Sequence, residues 1–147
     1  MRSTIFRVVG SLVLVTIVSE GLWALFRIAG ITLFADSRYW CTWGSIAQGL
    51  TTGVPSSEFL YWSLGINIIT ALIFILLYRK VRKVIGGGIF LKGLKFSLFV
   101  FLAGALPILA MGALMVYLSP ALLILGIGMT LLVTLINGII VAAINRQ

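Results

Sequence analysis

The chain has three acidic residues, Glu20, Asp36 and Glu58, a single cysteine, Cys41, and no histidine. That inventory excludes most chemistry before any fold is considered. Without histidine there is no usual axial ligand for haem and no commonest ligand for zinc, copper or non-haem iron. Neither a Ser-His-Asp triad nor a Cys-His pair can be assembled. One cysteine makes no intrachain disulfide, CxxC pair or iron-sulfur cluster. Three acids scattered along the chain do not form a di-metal carboxylate site. No catalytic residue, cofactor or metal site is therefore expected, and the protein reads as a non-enzyme. Cys41, in "YWCTWG", reads as a small packing residue among aromatics.

Glu20 is the group that demands an explanation. It sits in "TIVSEGLWALFRIAG", inside an otherwise lipid-soluble run. A carboxyl in hydrocarbon is costly, so it faces a bundle interior and has a partner. With about 1.5 Å of rise per residue, Glu20 lies roughly 20 Å from Arg7 and Arg27 roughly 30 Å from it. Arg27 then reaches the far interface, where Trp40 and Trp43 form part of an aromatic belt. The same arithmetic, counted from the basic residues at the ends of the other runs, puts Asn67, Thr134 and Pro107 near the height of Glu20. Thr16, Thr70, Gly104 and Asn137 form a second tier, about 13.5 Å in. An intramembrane polar cluster of Glu20, Asn67, Thr134 and Asn137 is expected, with Asn67 the first partner of Glu20. The simplest role for the carboxyl is a neutral, hydrogen-bonded glue between helices. Proton or cation passage, or pairing with another subunit, are its alternatives.

The elements that must hold these groups are membrane helices. The chain has 147 residues, 61% of them apolar and only 10% charged. Its mean hydropathy is +1.21. Soluble domains carry about 25% charged residues, so this chain lacks the polar surface to cover a body in water. A helical span takes about 20 residues, which leaves room for four. The apolar runs are Ile5 to Phe34, Phe59 to Tyr78, Phe96 to Leu118 and Ala121 to Ile144. They predict one all-α membrane domain over 1–147, a bundle of four transmembrane helices. The long segment between the first two runs becomes an interfacial outer loop.

Lys and Arg set the expected orientation. Arg2, Arg7, Arg79, Lys80, Arg82, Lys83, Lys92, Lys95 and Arg146 fall on one side, against Arg27 and Arg38 on the other. The positive-inside rule places both termini and the basic loop in the cytoplasm. The net charge of +8 follows from the same residues. Nucleic acid is not the expected partner, because the charges flank membrane ends and no recognition module is present. Membrane lipids are, with anionic headgroups at Arg79, Lys80, Arg82 and Lys83. "GGG" at Gly86 to Gly88 lacks the spacing of a phosphate-binding loop and reads as a turn. No small-x-small cleavage site follows the first apolar stretch, so it reads as a retained signal anchor.

Packing surfaces are legible in the spacing. The fourth run carries Gly126, Thr130, Thr134, Gly138 and Ala142 at every fourth position, a small-residue ladder that lets another backbone approach. In the third, Gly104, Pro107 and Gly112 invite close packing and a kink. Thr16, Glu20, Trp23 and Arg27 define one face of the first run, and Ser63, Asn67, Thr70 and Phe74 one face of the second. In layout the chain resembles small four-span proteins of the bacterial inner membrane, and that membrane is the expected location. Small multidrug transporters share four short spans, some with a glutamate in the first, but the residues around Glu20 do not follow their pattern.

Three classes of function fit this reading. The foremost is an accessory or assembly subunit of a larger membrane complex, binding other subunits or itself. The alternative is a small oligomeric transporter or channel using Glu20 with Asn67. A lipid-acting enzyme would have to rely on Glu20, Asp36 or Arg38, and stands last.

Overall fold

The computed structural model describes residues 2–29, 57–115 and 120–145. Within them every regular element is a helix: α1 (Arg2–Ala29), α2 (Ser57–Val81), α3 (Ile89–Val100), α4 (Leu106–Met115) and α5 (Pro120–Ile144). A π turn, Phe101–Ala105, joins α3 to α4, so the two run on as a single rod. Four helical stretches are long and apolar enough to cross a membrane: Ile5–Phe26, Leu60–Val81, Ile89–Gly112 and Leu123–Ile144. Each has 22 or 24 residues, or about 33–36 Å of rise, which exceeds the roughly 30 Å of a hydrocarbon core. Large apolar side chains such as Phe6, Ile17, Ile69, Phe99 and Ile124 point outward on every rod. Apolar surface on all sides is what lipid, and not water, accommodates.

The buried core lies toward one end of the bundle. Val15 of α1, Ala71, Phe74, Ile75 and Tyr78 of α2, Phe96 of α3, and Val141 and Ala142 of α5 form one cluster. Phe96 meets Phe74 edge-on at 4.8 Å between ring centroids and Tyr78 at 5.2 Å. The lysines and arginines that follow α2 and begin α3 cap this same end, called the basic end below.

The third rod begins at Ile89 rather than at Phe96, so Lys92 and Lys95 lie on a helix and not in the loop. The linker shrinks to a turn around Gly87, whose φ of +121° belongs to glycine. A Cβ there would also stand 2.9 Å from the Leu91 side chain. Lys95 Nζ folds back to donate to the Gly86 carbonyl at 3.3 Å.

The earlier start changes where the third rod packs. Its close approach is at Gly93, where a Cβ would stand 2.8 Å from the Gly138 carbonyl and 2.9 Å from Ile139 Cα. Reciprocally, a Cβ on Gly138 would overlap Ser97 Oγ and stand 2.7 Å from the Gly93 carbonyl. Ser97 is fully buried there and donates to Gly93 O at 2.8 Å. Gly104 and Gly112, expected as contact points, have no described atom within 4 Å of a would-be Cβ. The kink expected at Pro107 takes the form of the π turn. Pro107 has no N–H, and its ring presses on the carbonyl four residues back. Widening the preceding turn lets Leu106 N–H reach Phe101 O and relieves that pressure.

The small-residue ladder of α5 is likewise used unevenly. Gly138 and Ala142 are buried against α3 and the core. Gly126 and Gly128 have open space beside them among the described residues. Thr130 is half-buried and donates to Gly126 O at 2.8 Å, within its own helix.

Candidate functional site

The polar residues expected as one intramembrane cluster separate into two seams. The first joins α1 to α2. Asn67 Nδ2 donates to Glu20 Oε1 at 2.6 Å, and Ser63 Oγ donates to the same oxygen at 3.2 Å. Ser63 and Asn67 stand four apart on α2, so one helix face presents both donors to a single acceptor. Glu20 is half-buried, and its Oε2 accepts no hydrogen bond among the described residues. The inward face of α2 continues from Asn67 through Ala71 and Phe74, while Thr70 is exposed. From Asn67 the face advances by four to Ala71 and by three to Phe74, and Thr70, one position before Ala71, falls just off it.

The second seam joins α1 to α5. Asn137 Nδ2 donates to Ser19 Oγ at 2.8 Å, and Asn145 Nδ2 donates to Ser11 Oγ at 3.0 Å. Between these rungs, Val15 and Val141 are buried at 2% and 0% exposure. Ser11, Val15 and Ser19 advance in fours along α1 while Asn145, Val141 and Asn137 retreat in fours along α5. That is the register of two antiparallel helices. Asn137 therefore belongs to Ser19 and not to Glu20. Thr134 joins neither seam, since its hydroxyl donates to Thr130 O at 2.6 Å on its own helix. A threonine hydroxyl that returns to the preceding turn has no need of another helix.

Two buried oxygens beside the second seam, Thr16 Oγ1 and Asn137 Oδ1, find no partner among the described residues. At the basic end Arg82 Nη1 donates to Asn145 O at 3.0 Å, closing the last turn of α5 against α2. Asn145 also donates to Val141 O at 3.0 Å, so this single residue ties three helices together. Of the basic residues expected at lipid headgroups, Lys80 and Lys83 are exposed and Arg79 and Arg82 half-buried. The side chain of Arg27, the pair Trp40 and Trp43, and Cys41 and Asp36 lie outside the described residues, as does the side chain of Glu58.

Ser11, Ser19 and Asn145 were not singled out from sequence. The signal was present as serines eight apart on α1 and asparagines eight apart on α5, but serine is common in membrane helices and carries little weight alone. Comparison with protein-family models, with curated proteins and with solved structures gives no match.

Proposed function

We propose that the chain is a non-catalytic integral membrane protein acting as an accessory or assembly subunit of a larger membrane complex. Its membrane is the bacterial cytoplasmic membrane, with both termini and the basic loop facing the cytoplasm. One observation carries this reading. Away from the basic end, a Cβ on the glycines at 104, 112, 126 or 128 would meet no atom of another described element within 4 Å, so small-residue surface is left over after the described residues have packed on one another. Surface of this kind lets a further helix approach closely in a bilayer. The occupant is a helix of another membrane subunit or of a second copy. Anionic headgroups around Arg79, Lys80, Arg82 and Lys83 complete the surroundings.

The carboxyl of Glu20 fits the same picture as a fastener. Two donors of α2 converge on one of its oxygens, and this interhelical bond holds α1 against α2. A second reading, a small oligomeric transporter or channel, draws on the half-buried position of Glu20 and on its Oε2, which accepts no hydrogen bond among the described residues. A carboxyl engaged through one oxygen retains the other for a cation or a proton.

Native mass measurement after mild detergent extraction separates the two. Stable retention of other membrane subunits supports the accessory reading. A homo-oligomer that binds a cation, and loses it in Glu20→Gln, supports transport. A bare monomer refutes both.

A further inference from the structure

At the basic end, the last turn of α2, the Gly87 turn, the start of α3 and the end of α5 enclose a cavity of about 240 Å³. Tyr78, Arg82, Lys83, Gly88, Lys92 and Asn145 are among the residues that line it, and among the described residues no acidic side chain does. Two donors there have nothing to bind among the described residues, and one of them, Arg82 Nε, is buried. Tyr78 is 2% exposed and packs its ring on Phe96, yet its hydroxyl makes no hydrogen bond among the described residues. Arg82 Nε is buried and has no partner among the described residues, while Nη1 of the same guanidinium donates to Asn145 O. Leaving a buried donor unmet costs free energy, and a charged one costs more.

The start of α3 faces the same space. Gly88 caps the helix without a side chain, and the first turn contains no acid. The opening amides of Ile89 and its neighbours therefore add the positive end of a helix dipole to the cations of Arg82, Lys83 and Lys92. The opposing negative end of α5 is already covered, because Arg82 occupies the Asn145 carbonyl.

We propose that this cavity binds one phosphate group. Arg82 Nε and the Tyr78 hydroxyl donate to its oxygens from the α2 side. The amides of α3 donate from the other, and Lys83 and Lys92 neutralise the charge. A tetrahedral oxyanion is the ligand that can accept from donors converging in this way. The space is several times the roughly 30 Å³ of a water molecule, enough for the phosphate and the first atoms attached to it. The group is carried either by a phospholipid at the membrane surface or by a free phosphate compound. The proposal rests on and sharpens the headgroup contact proposed above for Arg82 and Lys83, but it does not need a partner subunit, since one chain supplies the whole lining.

The experiment is thermal unfolding of the purified full chain in detergent at constant ionic strength. Inorganic phosphate, pyrophosphate and short-chain phosphatidylglycerol are titrated separately, with phosphatidylcholine as the zwitterionic control. The expected result is a saturable rise in midpoint with at least one anionic phosphate compound. Saturation by inorganic phosphate or pyrophosphate identifies a free-phosphate site, and saturation by phosphatidylglycerol alone a headgroup site. Lys92→Gln and Tyr78→Phe should each weaken the apparent affinity about tenfold, the loss of one charge-assisted or well-placed bond. Tyr78→Phe should leave the unliganded midpoint unchanged or higher, because the lost hydroxyl had no internal partner. Arg7→Gln, at the same end but outside the cavity, should bind as the parent does. The proposal is overturned if no anion raises the midpoint above the phosphatidylcholine control. It is equally overturned if Arg7→Gln weakens binding as much as Lys92→Gln, since that is diffuse attraction to a basic surface.

Discussion

Replacing Gly138 by alanine adds one methyl group at the tightest contact of the described residues. That methyl would overlap Ser97 Oγ and stand 2.7 Å from the Gly93 carbonyl oxygen. A serine hydroxyl can rotate away, at the cost of its bond to Gly93 O. The backbone oxygen cannot, so α3 and α5 must move apart and lose contact along the buried stretch from Gly93 to Ser97. Overpacking of this kind costs about 1–3 kcal/mol, against which alanine recovers up to about 1 kcal/mol of helix propensity. A net loss of about 1–2 kcal/mol is expected for Gly138→Ala. Gly126→Ala makes the same chemical change on the same helix, where no described atom is within 4 Å, and should be neutral or slightly stabilising. Ser97→Ala combined with Gly138→Ala should recover part of the loss, since the overlap with Oγ is gone while the contacts with Gly93 O and, at 3.1 Å, with the Cβ of residue 97 remain. Equilibrium unfolding in mixed detergent micelles reads all four proteins. If Gly138→Ala and Gly126→Ala unfold at the same denaturant concentration, the close crossing of α3 and α5 does not exist.

Three further outcomes follow from named contacts. Glu20→Gln keeps an acceptor for both Asn67 and Ser63 and should preserve stability and assembly. Glu20→Leu strands Asn67 and should cost about 0.6–2 kcal/mol in the same unfolding assay; a Gln variant as damaged as the Leu variant would mean that the charge itself does the work. A double-mutant cycle of Ser11→Ala and Asn145→Ala should return a coupling of about 0.6–1.7 kcal/mol, and zero coupling would break the proposed register of α1 and α5. Reporter fusions at Gln147 and within the loop at Gly87 should both report a cytoplasmic position; a periplasmic signal from either would reverse the assigned orientation.

Hydropathy alone determined that the chain forms four apolar helices and roughly where each lies. Twenty-odd apolar residues in a row have few other stable arrangements where no water can satisfy the backbone. The pairing of Glu20 with Asn67 was also within reach, because matched depth on two helices needs only rise per residue and a common origin. Depth does not say which helices are neighbours or how each is rotated. Asn137 and Thr134 lie near the right heights, yet Asn137 turns to Ser19 and Thr134 to its own backbone. Lys92 and Lys95 masked the start of α3, since charge argues against a span, and so hid the small pair Gly93 and Ser97 on which that rod packs. The same helical start brings Lys92 back across the Gly87 turn to line one cavity with Tyr78, Arg82 and, from α5, Asn145. Rotation and crossing point are set by which side chains leave room for two backbones to touch. That depends on both helices at once, and one strand of sequence does not contain it.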